Sequence, residues 1–527
     1  MLPCFQTARL TCRAGLLLTA IALTSGLASA QDEPPPEQPR VREIRVYVSN
    51  FYTEEQADES GWARFWNDLR IPTRESVIRT AILFKEGEPL DPELIEATER
   101  ALRRQRFLNK AEIKVIPVDA ETVDVEVHTQ DAWSLIPGLD VEGGGGLTTL
   151  KGHLMELNLL GFGKKAYVEA IYESDVGTTW KGGYQDYQIL GSRWVGGATY
   201  KQGPLVKALT LNLNRPLYSL DTKWSYGANA NIADQIIRRF EDGEESDRFE
   251  KDQILVTAYV KRSFGRRFHK RSVKLKIKYK EADYSSLGSA TTVPPPPDQA
   301  NVTPIIGFGT EDISWTRNTY INKMGSTEDD WLGLRTGASA GYGIPVGDGF
   351  ELWDVGGYVV WRTALPWEQF LQLSAVGNSE VVRNHVAVLK AKYYKKFGWH
   401  TVAFHGLAKM GWNLDSSRQF QLGADSGLRG FPARQFTGDY LLLFNFEDRQ
   451  YWGTFPWGPE VAMGTVVFVD VGDAWPEEEE IDMNPSAGLG LRLGFTRLPH
   501  QPIFRLDFGF PLLERDWALT IGMEQQF

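Results

Sequence analysis

The side chains able to do covalent or metal chemistry are few in this sequence and poorly arranged for it. Gly337-Ala338-Ser339-Ala340-Gly341 fits the nucleophile-elbow pattern, in which a serine is held on a tight strand-to-helix turn. Here the pattern lies in a glycine-rich strand segment, so a catalytic serine is not expected. Seven histidines stand at 128, 153, 269, 385, 400, 405 and 500, and the one close pair, His400 and His405, has a spacing that fits neither one helix face nor one strand face. The glycine runs Gly143 to Gly146 and Gly488-x-Gly490 lack the βαβ setting of a phosphate cradle and read as bends in a curved sheet. The sequence therefore predicts no catalytic residue, no cofactor and no metal.

The elements that hold these residues begin after an export signal. Arg9 and Arg13 precede the apolar run Leu16 to Leu27, and Ala28-Ser29-Ala30 has the small-x-small form of a cleavage site, so residues 1–30 read as a signal peptide. Both cysteines, Cys4 and Cys12, fall inside it. The mature chain is then cysteine-free, which excludes a disulfide framework and a thiolate metal site. No later stretch reaches the roughly 18 consecutive apolar residues of a spanning helix, which leaves a closed barrel as the only form that could cross a bilayer. The net charge of −11 argues against a nucleic-acid partner. Glu477 to Glu480 and Asp242 to Asp247 concentrate part of that charge in runs that read as solvated loops.

Residues 31–40 are proline-rich and charged, a stiff linker. Residues 41–135 follow the order β-α-α-β-β: a strand through Ile44, Val46 and Val48, a helix near Thr73 to Phe84, a second from Asp91 to Arg106, and strands Glu112 to Pro117 and Val123 to Thr129. Thr73 with Ser76, and Asp91 with Pro92, offer helix starts. An insertion at 51–70 carries Trp62, Phe65, Trp66 and Leu69 at helical spacing and predicts an extra packed helix.

Residues 136–527 are a succession of strand-length segments, predicting a mainly β chain with a transmembrane antiparallel barrel of about sixteen strands. Polar stretches at 236–252 and 284–304, the latter with Pro294 to Pro297, read as extracellular loops. The C-terminal segment alternates most cleanly, with Trp517, Leu519, Ile521 and Met523 on one face and Ala518, Thr520, Gly522, Glu524 and Gln526 on the other. The same parity turns Leu441, Leu443, Asn445 and Glu447 inward, and Asp470 inward beside Val469 and Val471. Two carboxylates thus face the interior from adjacent strands.

At this point the chain resembles the BamA-like and TamA-like outer-membrane assembly and secretion superfamily, the bacterial surface antigen family. Its hallmark is a loop folded into the barrel with Val-Arg-Gly-Phe or Val-Arg-Gly-Tyr, matched here by Leu428-Arg429-Gly430-Phe431 within Asp425 to Pro432. The resemblance implies that Arg429 is held by Glu447 and Asp470. The chemistry agrees, since a guanidinium in a partly dehydrated lumen needs carboxylates and can take them bidentately. Residues 73–131 resemble a POTRA (polypeptide-transport-associated) domain, with Gly87-Glu88-Pro89-Leu90-Asp91 between the helices. Glu156 to Gly163, Phe468 to Trp475 and Gly488 to Arg492 resemble barrel strands and turns of the family. Phe527, with Gly522 five residues earlier, resembles the C-terminal insertion signal, although Gln525 stands where an apolar residue is usual. One periplasmic domain stands where the general assembly factor has several.

The resemblance implies an outer-membrane barrel that inserts or translocates an unfolded or secreted polypeptide client without covalent chemistry. Its N-terminal domain would lie in the periplasm, its surroundings would be outer-membrane lipid, and accessory periplasmic proteins would be further partners. A passive diffusion pore or structural barrel is the alternative, and a barrel enzyme the third class. An adjacent secreted protein in the genome, or a client held by the periplasmic domain, separates the first from the second.

Overall fold

In the computed structural model the described residues are 38–527, apart from 51–57, 59–60, 69–70, 220–221, 267, 288–292, 320, 325–326, 348, 381–382, 456–459, 497–502, 514–516 and 524. The expected signal peptide, residues 1–30, and nearly all of the expected linker lie outside them.

The N-terminal unit is a three-stranded sheet covered on one face by helices. Strand β1 (Arg40–Ser49) runs parallel to the central β3 (Thr122–Asp131), and β2 (Leu108–Pro117) pairs antiparallel on the other side. Alternation puts Val123, Val125 and Val127 on the covered face, where they meet Val41, Ile44 and Phe107. Of the helices, α1 spans Gly61–Asp68, α2 spans Glu75–Ala81 and α3 spans Pro92–Arg103. Val77, Ile78 and Ala81 of α2 and Leu102 of α3 close the core. Asp91 caps α3 by accepting from the Glu93 amide at 2.9 Å, with proline at the first helical position.

Two details differ from expectation. Thr73 does not cap α2; its amide and hydroxyl both donate to the Asp131 carboxylate, at 2.9 and 2.7 Å, and the helix starts two residues later without a side-chain cap. In α1, Phe65 is half-exposed, and the side chains of Trp62, Trp66 and Leu69 lie outside the described ones.

Residues 135–523 form a closed antiparallel barrel of 20 strands, not about sixteen. The first six strands are only 9–10 residues long, and hairpins such as those at 145–146, 204–205 and 242–243 spend two residues on the turn, so more strands fit the chain than long loops would allow. Residues 236–252 are likewise not a loop. They are the paired end of the hairpin Trp224–Glu241 and Glu244–Arg266, in register from Ile236↔Glu250 to Arg238↔Arg248. Between 284 and 304 strand pairing persists to Ser286 and resumes at Gln299, leaving the prolines in the connection.

The outer wall is apolar. Leu209, Leu211 and Leu213 are exposed and alternate with Thr210, Asn212 and Asn214, as Leu275 and Ile277 do with Lys274, Lys276 and Lys278. Among the described residues no helix is long and apolar enough to cross a membrane. A closed barrel with an apolar exterior satisfies its backbone internally and presents lipid with the side chains lipid solvates.

The N-terminal unit is fastened to the barrel's near end. The Arg74 amide donates to Gly161 O at 2.9 Å, Asn158 Nδ2 to Thr73 Oγ1 at 2.8 Å, and Gln188 Nε2 to Val77 O at 3.0 Å. Gly161 has φ +77°, and a Cβ there would lie 2.4 Å from Pro72 O, so this turn requires glycine. Arg193 adds a bond to Ile82 O at 2.8 Å, and Arg103 reaches Asp329 at 3.3 Å across the mouth.

Candidate functional site: the lumen loop

The connection between strands His400–Trp412 and Tyr440–Phe455 folds back into the barrel. It carries its own short ribbon, Phe420–Leu422 with Phe436–Gly438. Its outer part is pinned to the hairpin tips: Gln419 bonds both backbone groups of Phe240 at 2.7 and 2.9 Å, Arg434 meets Asp175 at 2.8 Å, and the Ala433 amide donates to Gly145 O at 3.0 Å. Its inner part turns on Gly423, whose carbonyl accepts from the amides of Ser426, Gly427 and Leu428. Leu428 and Phe431 are buried against Leu422, Leu441, Leu443 and Ala474. Between them Gly430 has φ +96° and passes so close to the wall that a Cβ would sit 3.1 Å from the Gly509 carbonyl carbon.

This turn delivers Arg429 to the wall with 0% exposure. Its Nε and Nη2 donate to the two oxygens of Asp470 at 2.7 and 2.8 Å, and Nη1 donates to Glu447 Oε1 at 2.6 Å. The guanidinium also lies 3.5 Å from the Phe468 ring centroid. Asn445 ties the same point together, donating to Asp470 Oδ1 at 2.8 Å and to Gly427 O at 2.9 Å.

The site is larger than the sequence-predicted trio. Asp507, on strand Ile503–Pro511, lies 3.4 Å from Arg429 and takes Arg492 at 2.5 Å; Arg449 holds the other oxygen of Glu447 at 2.8 Å, and Arg505 approaches Asp507 at 3.4 Å. Four arginines thus share three carboxylates among the described residues. Asp507 and Arg492 were within reach of the same parity argument, since Arg505, Asp507 and Gly509 alternate with Phe504, Leu506 and Phe508. Buried ions at this density are stable only when each is paired and hydrogen-bonded.

The end of the chain differs from expectation. The final strand stops at Met523. Phe527 leaves the wall and lies in the lumen, its ring stacked on His405 at 5.1 Å and 4.8 Å from the Arg449 guanidinium, while its carbonyl accepts from Tyr394 at 3.4 Å. Gln525 accepts from Arg492 at 3.3 Å, which is why a polar residue suits that position. Gly522 remains in the wall facing inward, where a Cβ would meet Arg505 Nε at 2.6 Å. The last and first strands close the barrel through one register pair among the described residues, Ile521↔Gly143.

It is similar in fold to BamA and CdiB. The BamA structure, from Haemophilus ducreyi and lacking POTRA domains 1–3, is 12% identical with a TM-score of 0.42, over 92% of this chain and 85% of that one. CdiB from Acinetobacter baumannii is 12% identical with a TM-score of 0.47 over 93% and 74%, and CdiB from Escherichia coli 13% and 0.46 over 92% and 77%. No protein-family model and no curated sequence matches the chain.

The residues set aside for chemistry remain apart. Ser339 sits mid-strand in Thr327–Pro345. His405 faces the lumen and bonds Asn445 at 3.0 Å, whereas His400, five residues earlier and so on the opposite face, bonds Asp448 at 2.8 Å. Among the described residues no group of three His, Cys, Asp or Glu could hold a metal ion.

Proposed function

We propose that this chain is an outer-membrane barrel that inserts or translocates polypeptide clients, making and breaking no covalent bond. The observation that carries the reading is the Arg429 lock together with a seam joined, among the described residues, by one register pair. A lumen into which an ion-paired loop folds is poorly suited to free diffusion. A seam with few ladder bonds costs little to open and exposes backbone groups that an extended client can pair with.

The N-terminal unit, a POTRA-like domain in the periplasm, supplies the first contact. Its edge strand β2 exposes Val115 and Ile116 on a ladder edge that no strand pairs among the described residues, although Glu99 takes the Ile113 amide at 3.0 Å; such an edge is the surface that accepts an added strand. A photo-crosslinking residue at Val115 in cells should trap polypeptides in transit, and the yield should fall when Arg429 is replaced. A passive pore predicts no client adduct from Val115 and solute flux that Arg429→Ala merely increases.

A further inference from the structure

The barrel wall away from the loop carries a column of cations that the lock does not use. Strand His269–Ser286 alternates Leu275 and Ile277 outward with Lys270, Lys274, Lys276, Lys278 and Lys280 inward. The upper two are neutralised, Lys278 by Asp354 and Lys280 by Glu380 at 3.3 Å. Lys270, Lys274 and Lys276 form no ion pair among the described residues. Lys274 instead stands directly across from Lys261, a like-charge pairing that is unfavourable by itself.

Of these, Lys270 and Lys274 open into a chamber of about 500 Å³ between α3 and the inner wall, at the end where the N-terminal unit is fastened. Arg100 of α3 and Arg104, just past the end of α3, enter it from one side, lying 5.7 and 4.9 Å from the Trp315 ring. Arg335 enters from the other, with a buried Nε that has no hydrogen-bond partner. Among the described residues Glu311 is the one carboxylate that lines the chamber, 3.9 Å from Lys261 and 3.7 Å from Arg335. Arg100 is also paired with Glu96 outside the chamber, at 3.2 Å. A chain with a net charge of −11 has thus gathered six cations around one acid.

We propose that this chamber binds acidic segments of an extended polypeptide, so that carboxylates of the guest take the places that Asp354 and Glu380 take higher in the column. Lys270 and Lys274, four residues apart on one strand, are spaced about 13.6 Å, twice the period of alternate side chains in an extended guest, so every second acidic side chain of such a guest meets a lysine. The chamber lies at the mouth nearest the N-terminal unit, where a client handed on from β2 would first meet the lumen. The proposal rests on the client-handling reading and adds the chemistry of the client.

The test uses the full chain in a neutral detergent and a fluorescent peptide of alternating Glu and Ser. Alternating Asn-Ser and Lys-Ser peptides and inorganic phosphate serve as comparisons. The acidic peptide should bind at low salt and weaken as salt rises. Binding should weaken by about tenfold in Arg104→Gln/Lys270→Gln/Lys274→Gln and stay unchanged in Lys207→Gln, a substitution on the exposed outer wall. Retained heat modifiability shows that the variants fold. Equal affinity for the Asn-Ser peptide, wild-type affinity in the triple variant, or displacement of the peptide by equimolar phosphate each overturns the proposal. Peptide binding without client adducts at Val115 in cells would fail the client-handling reading while leaving the chamber's affinity intact, and adducts without charge preference would fail only the chamber.

Discussion

Arg429 has three carboxylates in reach and no exposure, so its removal leaves ions stranded in a dry site. Arg429→Ala should cost about 3–5 kcal/mol locally, the usual loss when one member of a buried pair is taken away. Arg429→Lys should recover little, because an ammonium cannot span both oxygens of Asp470 and still reach Glu447. Protease cleavage within residues 425–438 measures the loop directly. Adding Glu447→Ala to Arg429→Ala should cost little more, since contacting residues do not add. Strictly additive losses would mean that the two are uncoupled. At this scale parity made much of the site legible: Glu447 and Asp470 lie where alternation turned them. Asp507, Arg492 and Arg449 were less legible, because no motif marks them and parity alone turns many polar side chains into a barrel's interior. The inward course of Phe527 had no signal beyond Gln525 breaking the apolar face.

Among the elements, the join between the N-terminal unit and the barrel is the most exacting. Asp131 accepts twice from Thr73, whose hydroxyl accepts from Asn158 in the first turn of the barrel that faces the unit. Thr73→Val removes a bond to a buried carboxylate and the acceptor for Asn158. It should destabilise the join by about 1–3 kcal/mol. Faster amide exchange at residues 72–74 and 158–163, with barrel strands unaffected, is the expected readout; unchanged exchange would show that the backbone contacts suffice. Strands and helices of the N-terminal unit were legible because their apolar periods are clean. The strand count was not, because charge runs such as 236–252 read as loops, whereas a hairpin extending beyond the lipid band can pair its backbone with any side chains facing water.

At the scale of the whole molecule, closure has two consequences. A barrel without a free edge resists detergent unfolding, so unboiled protein should migrate faster on a detergent gel than boiled protein. Identical migration would remove the barrel from the account. Closure is also uneven, since among the described residues Ile521↔Gly143 is the one register pair joining the ends, while strands such as Trp224–Glu241 and Glu244–Arg266 pair along their length. If clients pass by way of that seam, fixing it should stop them. Gly143→Cys with Ile521→Cys tests this in a mature chain expected to hold no other cysteine, because register partners bring their Cβ atoms within about 4.5–5.5 Å. We predict that the oxidised double variant inserts normally but loses client handling, and that reduction restores it. Undiminished handling with the seam fully crosslinked would contradict the account.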